Sequence, residues 1–91
     1  MSFKAVFFRI YDRKIGSGEI TFNATGINKN DFTRLCVEPY FVFNNKTMEL
    51  IRETMKLTDA EAEELAAARA ETESEGEAAL EAAWDAEHGE K

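Results

Sequence analysis

The chain has 91 residues, a net charge of −7 and a single cysteine, Cys36. A chain of this length forms one domain with a small core, and it lacks room for both a scaffold and a deep substrate cleft. One cysteine cannot form an internal disulfide, and the absence of disulfides is typical of proteins in a reducing compartment. The sequence shows neither the apolar run of a signal peptide nor one long enough to span a bilayer. We therefore expect a cytoplasmic protein, in the host cytoplasm if a virus encodes it.

Three segments are predicted to be β-strands. Residues 3–11 are rich in aromatic and β-branched side chains, which favour strands. Residues 19–25 alternate apolar and polar side chains, and a glycine-containing turn would join them to the first strand as a hairpin. Residues 40–43 form a third short apolar segment. The expected fold class is therefore α+β, with a small antiparallel sheet of about three strands followed by C-terminal helices.

Two helices are predicted around the third strand. Residues 31–37 favour a short helix with Asn30 as its N-cap, although a strand stays open as the alternative for this segment. Asn45 is the predicted N-cap of the next helix, whose apolar stripe continues to about Leu57.

The last third of the chain is predicted to form two further helices rich in alanine and glutamate. Thr58 and Glu61 have the spacing of a capping box, which places a helix at about 59–70. Residues 71–74 are polar and Gly76 lowers helix propensity, so we expect a break before a last helix at about 75–87.

Charge is distributed very unevenly along the chain. Residues 1–58 carry nine Lys or Arg and six Asp or Glu, a net +3, whereas residues 59–91 carry two and twelve, a net −10. We therefore divide the domain into an α+β core at 1–57 and an acidic helical extension at 58–91. Phosphates would be repelled by the extension.

No catalytic or metal-binding arrangement is recognisable. His88 is the only histidine and Cys36 the only cysteine, so neither has the partners that activate a base or a nucleophile. One cysteine and one histidine cannot complete a zinc site, and we interpret Cys36 as a buried structural thiol. The expectation is a protein that is not an enzyme and uses no cofactor and no metal.

A row of carboxylates is the main candidate for a binding surface. Four acidic residues recur at i, i+4 spacing and would lie on one helix face: Glu73, Glu77, Glu81 and Asp85. Such a row imitates a row of phosphates and suits a basic groove; the alternative is a solvated face that keeps the protein soluble. The predicted partner-binding residues are Glu61, Glu64, Glu73, Glu77, Glu81, Asp85 and Trp84.

These patterns favour a non-enzymatic inhibitor that blocks the basic surface of a nucleic-acid-handling protein by mimicking nucleic acid. It would bind no nucleic acid directly and no membrane. In general character it resembles phage anti-CRISPR or anti-restriction proteins, although no motif aligns with them. One alternative is an oligomeric adaptor, such as a homodimer, anchored by Leu80 and Trp84. Another is a small nucleic-acid-binding regulator that uses an aromatic sheet face including Phe3, Phe7 and Tyr11.

Overall fold

The computed structural model describes the backbone of residues 2–88 and the side chains of residues 2–82. This part of the chain forms five helices and contains no strand: α1 Phe3–Gly16, α2 Phe22–Thr25, α3 Lys29–Val37, α4 Asn45–Thr54 and α5 Asp59–His88. The predicted α+β fold with an antiparallel sheet is therefore wrong, and the protein is a small all-helical domain. Among the described helices, none combines the length and the apolar character that crossing a bilayer requires.

Helix α1 occupies the segment predicted as the first strand. Ser2 caps it, because its side-chain oxygen accepts a hydrogen bond from the amide of Ala5 at 3.1 Å. Its buried apolar residues follow helical spacing: Phe3, Val6, Phe7 and Ile10. Because the segment is apolar on both alternating faces, it satisfies a strand pattern as well as a helix stripe. The segment forms a helix because this places one apolar stripe in the core.

The other two predicted strands are also absent. Residues 19–25 contain only the single turn α2, whose N-cap Thr21 accepts from the amide of Ala24 at 3.2 Å. The side chain of Ile20 is buried beside it. Residues 40–43 are a loop without regular structure, which buries Phe43 completely. Ile20 and Phe43 are thus placed in the core by loops and not by strands.

The two central helices are confirmed, with shifted ends. The helix predicted at 31–37 is α3, which begins two residues earlier because Asn28, rather than Asn30, is its N-cap. The next helix is α4, with Asn44 as its cap. It ends at Thr54 because Lys56 adopts the left-handed conformation, with φ of 53°.

Helix α5 replaces the two predicted C-terminal helices with one continuous helix. The capping box at its start is confirmed: the Thr58 amide donates to Glu61 at 2.9 Å, and the Glu61 amide donates to the Thr58 hydroxyl at 3.1 Å. The break predicted at 71–74 is wrong. Gly76 lies inside the helix, where a Cβ would come within 3.1 Å of the Tyr40 Cβ. Glycine at this position therefore permits close packing of the α3–α4 loop.

The core lies between α1, α3, α4 and α5, and the α3–α4 loop contributes to it. The ring of Phe43 stands edge-on to Phe3 and Phe7, with centroids 5.4 and 5.2 Å apart. Helix α5 contributes the buried Leu65, and Thr72 accepts a hydrogen bond from the Phe3 amide at 2.8 Å. The two helices run antiparallel. Since Phe3 and Phe7 are fully buried, the aromatic sheet face proposed for nucleic acid does not exist.

Candidate nucleic-acid interface

A tight turn joins α2 to α3 and fixes the position of α3. The Thr25 hydroxyl is buried; it donates to the Phe22 carbonyl at 2.6 Å and accepts from the Ile27 amide at 3.2 Å. The Thr25 carbonyl in turn accepts from the Thr54 hydroxyl of α4 at 2.9 Å. These bonds satisfy the polar groups of the turn and tie it to α4.

Gly26 gives this turn its shape. It adopts φ of 72°, a conformation that residues with side chains rarely occupy, and a Cβ here would lie 3.3 Å from the Leu50 Cδ2. Ile27 follows and is buried, which anchors the turn in the core. The turn is thus held both by backbone conformation and by packing.

The inner face of α3 is aromatic and apolar. Phe32 stands edge-on to Phe22 and Phe8, with ring centroids 4.9 and 5.6 Å apart, and Leu35 is fully buried. Edge-to-face pairs of this kind add to the stabilisation from burial. The rotation of α3 about its axis is therefore well determined.

That rotation turns a polar face outward. Lys29, Asn30 and Thr33 are exposed in the N-terminal half of the helix. Together they offer an ammonium group, an amide with donors and an acceptor, and a hydroxyl. The side chains project from a helix that the turn and the core hold in place.

The C-terminal half of α3 carries a different arrangement. Arg34 binds Glu38 through two hydrogen bonds of 2.9 and 3.2 Å, and its guanidinium lies 4.4 Å from the centre of the Phe41 ring. The hydrogen bond from Arg34 lowers the pKa of Glu38. Arg34 is thus largely occupied by contacts within the chain.

Two of the predicted partner-binding carboxylates also have partners inside the domain. Glu64 pairs with Arg9, and Glu61 pairs with Arg13 and lies 3.6 Å from the buried Lys14 ammonium. Burial raises the pKa of Glu61, but the Thr58 amide and the charges of Lys14 and Arg13 outweigh it and lower the pKa overall. These two carboxylates join α1 to α5.

We expect Glu61→Gln to lower the free energy of unfolding at pH 7 by about 1 kcal/mol. Glutamine keeps the reach-back bond of the capping box and removes only the charge. Because the pKa of Glu61 is lower in the folded protein, its stabilising effect is present above its unfolded pKa. The effect disappears as pH falls through the folded pKa, so the difference between the two proteins should shrink progressively once the pH is below the unfolded pKa of Glu61. Urea denaturation at a series of pH values measures this.

The matched control is Glu63→Gln, which removes an exposed carboxylate that has no ion pair among the described residues. Its stability difference from the wild type should be small at every pH. If Glu61→Gln and Glu63→Gln gave the same profile, the Glu61 contacts would not stabilise the α1–α5 packing.

The remaining acidic candidates lie in the C-terminal half of α5. Glu73, Glu77 and Glu81 are exposed, and only Glu73 approaches a cation within the described part of the chain, at 4.0 Å from the Arg69 Nε. Trp84 and Asp85 lie within α5, but their side chains are outside the described residues.

The two residues considered for chemistry have unremarkable positions. Cys36 is exposed on α3, so its interpretation as a buried thiol is wrong; its carbonyl accepts a hydrogen bond from Lys4 at 2.6 Å. His88 is the last residue of α5, and its side chain is outside the described residues. Within that described part no group of three or more potential metal ligands occurs.

A short helix, a three-residue turn containing a left-handed glycine and a second helix have the order of a helix-turn-helix motif. The motif was not predicted, because residues 19–25, which contain α2, were interpreted as a strand. The spacing of Ile27, Phe32 and Leu35 was the signal that could have identified it. Comparisons with protein-family models, curated proteins and solved structures found no match to the chain.

Proposed function

We propose that the protein is a small DNA-binding protein that places α3 in the major groove of double-stranded DNA. The observation that carries this proposal is the outward polar face of Lys29, Asn30 and Thr33 on a helix held by a rigid turn. In helix-turn-helix proteins the N-terminal residues of the second helix contact base edges. An α-helix fits the width of the major groove.

The three side chains suit different bases. Asn30 has the donor and acceptor that pair with N6 and N7 of adenine, and Lys29 can donate to O6 and N7 of guanine. Thr33 offers a hydroxyl for hydrogen bonding and a methyl group for contact with thymine. The expected half-site therefore contains an adenine and a guanine in adjacent positions.

The charge distribution is compatible with this proposal when α5 lies away from the DNA. Residues 1–58 carry a net charge of +3. Arg9 and Arg13 are neutralised by Glu64 and Glu61, so few cations are free to contact phosphates. We therefore expect binding to depend more on base contacts than on phosphate contacts, with a shallow dependence on salt.

The proposal is tested by selecting preferred sites from random duplexes and measuring affinity by fluorescence anisotropy. Asn30→Ala should weaken binding to the selected site at least tenfold, roughly 1.4 kcal/mol, and leave non-specific binding unchanged. Lys29→Ala should weaken both and reduce the salt slope. Because both side chains are exposed, the helical content and the melting temperature should not change.

Ser74→Ala is the matched control, since it shortens an exposed polar side chain on α5. It should bind the selected duplex like the wild type. Failure to enrich any sequence, or equal affinity of Asn30→Ala and the wild type, would rule out base reading by α3.

The acidic mimic of nucleic acid remains a second candidate, supported by the exposure of Glu73, Glu77 and Glu81 on successive turns of α5. Glu61 and Glu64 are bound within the domain, which reduces the surface available for this role. Changing the three exposed residues to glutamine separates the candidates. A DNA-binding protein should bind DNA more tightly after the change, whereas a mimic should lose its basic protein partner.

A further inference from the structure

One end of the bundle carries most of the exposed apolar surface. Of the four large apolar side chains exposed in the described part, Val37, Tyr40 and Leu80 lie at this end. Val37 ends α3, and Tyr40 packs on Gly76, one helical turn before Leu80. A concentration of this kind on a small domain marks an interaction surface rather than scattered exposure.

Helix α5 projects from the same end. The Phe3 amide at the start of α1 bonds to Thr72, and α5 continues beyond this point to His88. The part after Gly76, which we name the arm, is residues 77–88. At 1.5 Å per residue it extends roughly 18 Å. The longest dimension of the molecule, 55 Å against 25 and 22 Å, reflects this projection.

Beside the base of the arm lies a groove, formed by the end of α3 and the following loop. We name residues 37–42 the platform. Residues 38–42 line this groove together with Arg34; Tyr40 is its exposed apolar residue, and the exposed Val37 directly precedes the lining residues in the chain. The arm does not cover the platform of its own chain, because Leu80, Val37 and Tyr40 all remain exposed. Two copies could exchange arms across one surface.

The charges of the arm and of this end of the bundle are complementary. Glu77 and Glu81 on the arm have no ion pair within the described residues. Lys4 lies beside the platform, bonded to the Cys36 carbonyl, and Lys46 lies in the first turn of α4. Neither lysine has a carboxylate partner in the part of the chain that the structure describes.

We propose that two copies of this chain form a homodimer in which the arm of each lies on the platform of the other. Leu80 would contact Val37 and Tyr40 of the second copy, and the two arm glutamates would face its lysines. The occupant is a second copy because both complementary parts lie on one surface of one chain. A twofold arrangement then satisfies both copies and closes the assembly. The proposal does not depend on DNA binding.

The first test is the mass in solution, by light scattering and by sedimentation over a wide range of concentration. The wild type should form a species of twice the 10.3 kDa chain. Leu80→Glu should raise the dissociation constant at least tenfold, because it places a charge in the apolar centre of the interface. Leu80 is exposed in the single copy, so folding should be preserved, as circular dichroism would show.

Ala67→Glu is the matched control, since it adds the same charge at an exposed position of α5 that precedes the arm. It should leave the dimer intact. A wild type that stays monomeric at every concentration, or a dimer that Leu80→Glu leaves unchanged, would overturn the proposal.

The second test locates the arm. Cys36 is exposed next to the platform and is the only cysteine, so a spin label can be attached there alone. A labelled chain is mixed with a ¹⁵N-labelled chain carrying Cys36→Ser, and only contacts between copies then broaden the ¹⁵N signals. Broadening at residues 77–82 that Leu80→Glu removes is the expected result. A dimer without broadening there would show that the arms do not lie on the platforms.

Discussion

Replacing Phe7 by alanine should lower the free energy of unfolding by about 3–5 kcal/mol. The side chain is fully buried and contacts the rings of Phe3, Tyr11 and Phe43, with centroids 5.2–6.2 Å away. Its removal would leave a cavity between α1 and the α3–α4 loop that the neighbouring rings cannot fill without leaving their stacked or edge-to-face positions. The free energy of unfolding of a whole domain is only about 5–15 kcal/mol, so the variant should be largely unfolded by mild denaturant.

Urea denaturation followed by circular dichroism measures the effect, and Phe8→Ala is the matched control. Phe8 is the adjacent phenylalanine but is only half-buried, so its replacement should cost less than half as much. A strand at residues 3–11 would place Phe7 and Phe8 on opposite faces, so the two replacements report on which residues face the core. A larger loss for Phe8→Ala than for Phe7→Ala would therefore contradict the helical packing of α1.

Gly26→Val should cost about 2–3 kcal/mol and weaken DNA binding further than its effect on folding explains. A β-branched residue is strained at φ of 72°, and its Cβ would press against Leu50 at 3.3 Å. The Leu50 side chain can yield to this contact, whereas relief of the strain at φ of 72° requires movement of the turn between α2 and α3. Because Lys29 and Asn30 follow the turn directly, their positions relative to DNA would change.

Two glycines separate the contributions to this effect. Gly18 has φ of 80° but no atom within 4 Å of an added Cβ, so Gly18→Val should show the backbone strain alone. Gly16 has neither a positive φ nor a close neighbour, and Gly16→Val should change stability little. Calorimetry gives the three stabilities, and anisotropy gives the DNA affinity of each variant that is folded. Equal losses for Gly26→Val and Gly18→Val would show that the Leu50 contact is unimportant.

Local signals predicted where α3, α4 and α5 begin to within two residues, although they did not predict that α5 is continuous. The capping box of Thr58 and Glu61 marks the start of α5, because two backbone amides find partners within one turn. The helices at α3 and α4 were also predicted, each with its cap one or two residues late. Capping depends on residues that are close in the chain, so the local sequence is enough to predict where a helix begins.

The first half of the domain could not be assigned in this way. Residues 3–11 have an apolar pattern that fits a strand with two covered faces and a helix with one buried stripe. Strand propensity favours the former, but it is a weak tendency that packing overrides. The choice depends on what lies opposite, and Leu65, Thr72 and Phe43 are distant in sequence.

The candidate site shows the same division. The net charge of −10 in residues 59–91 follows from composition alone, and so does the i, i+4 spacing of its glutamates. Which carboxylates are free is a tertiary property: Glu61 and Glu64 face the arginines of α1, whereas Glu77 and Glu81 lie beyond the end of α1. The exposure of Lys29 and Asn30 likewise depends on the burial of Phe32 and Leu35 on the opposite face of α3, since packing of that apolar face in the core sets the rotation of the helix.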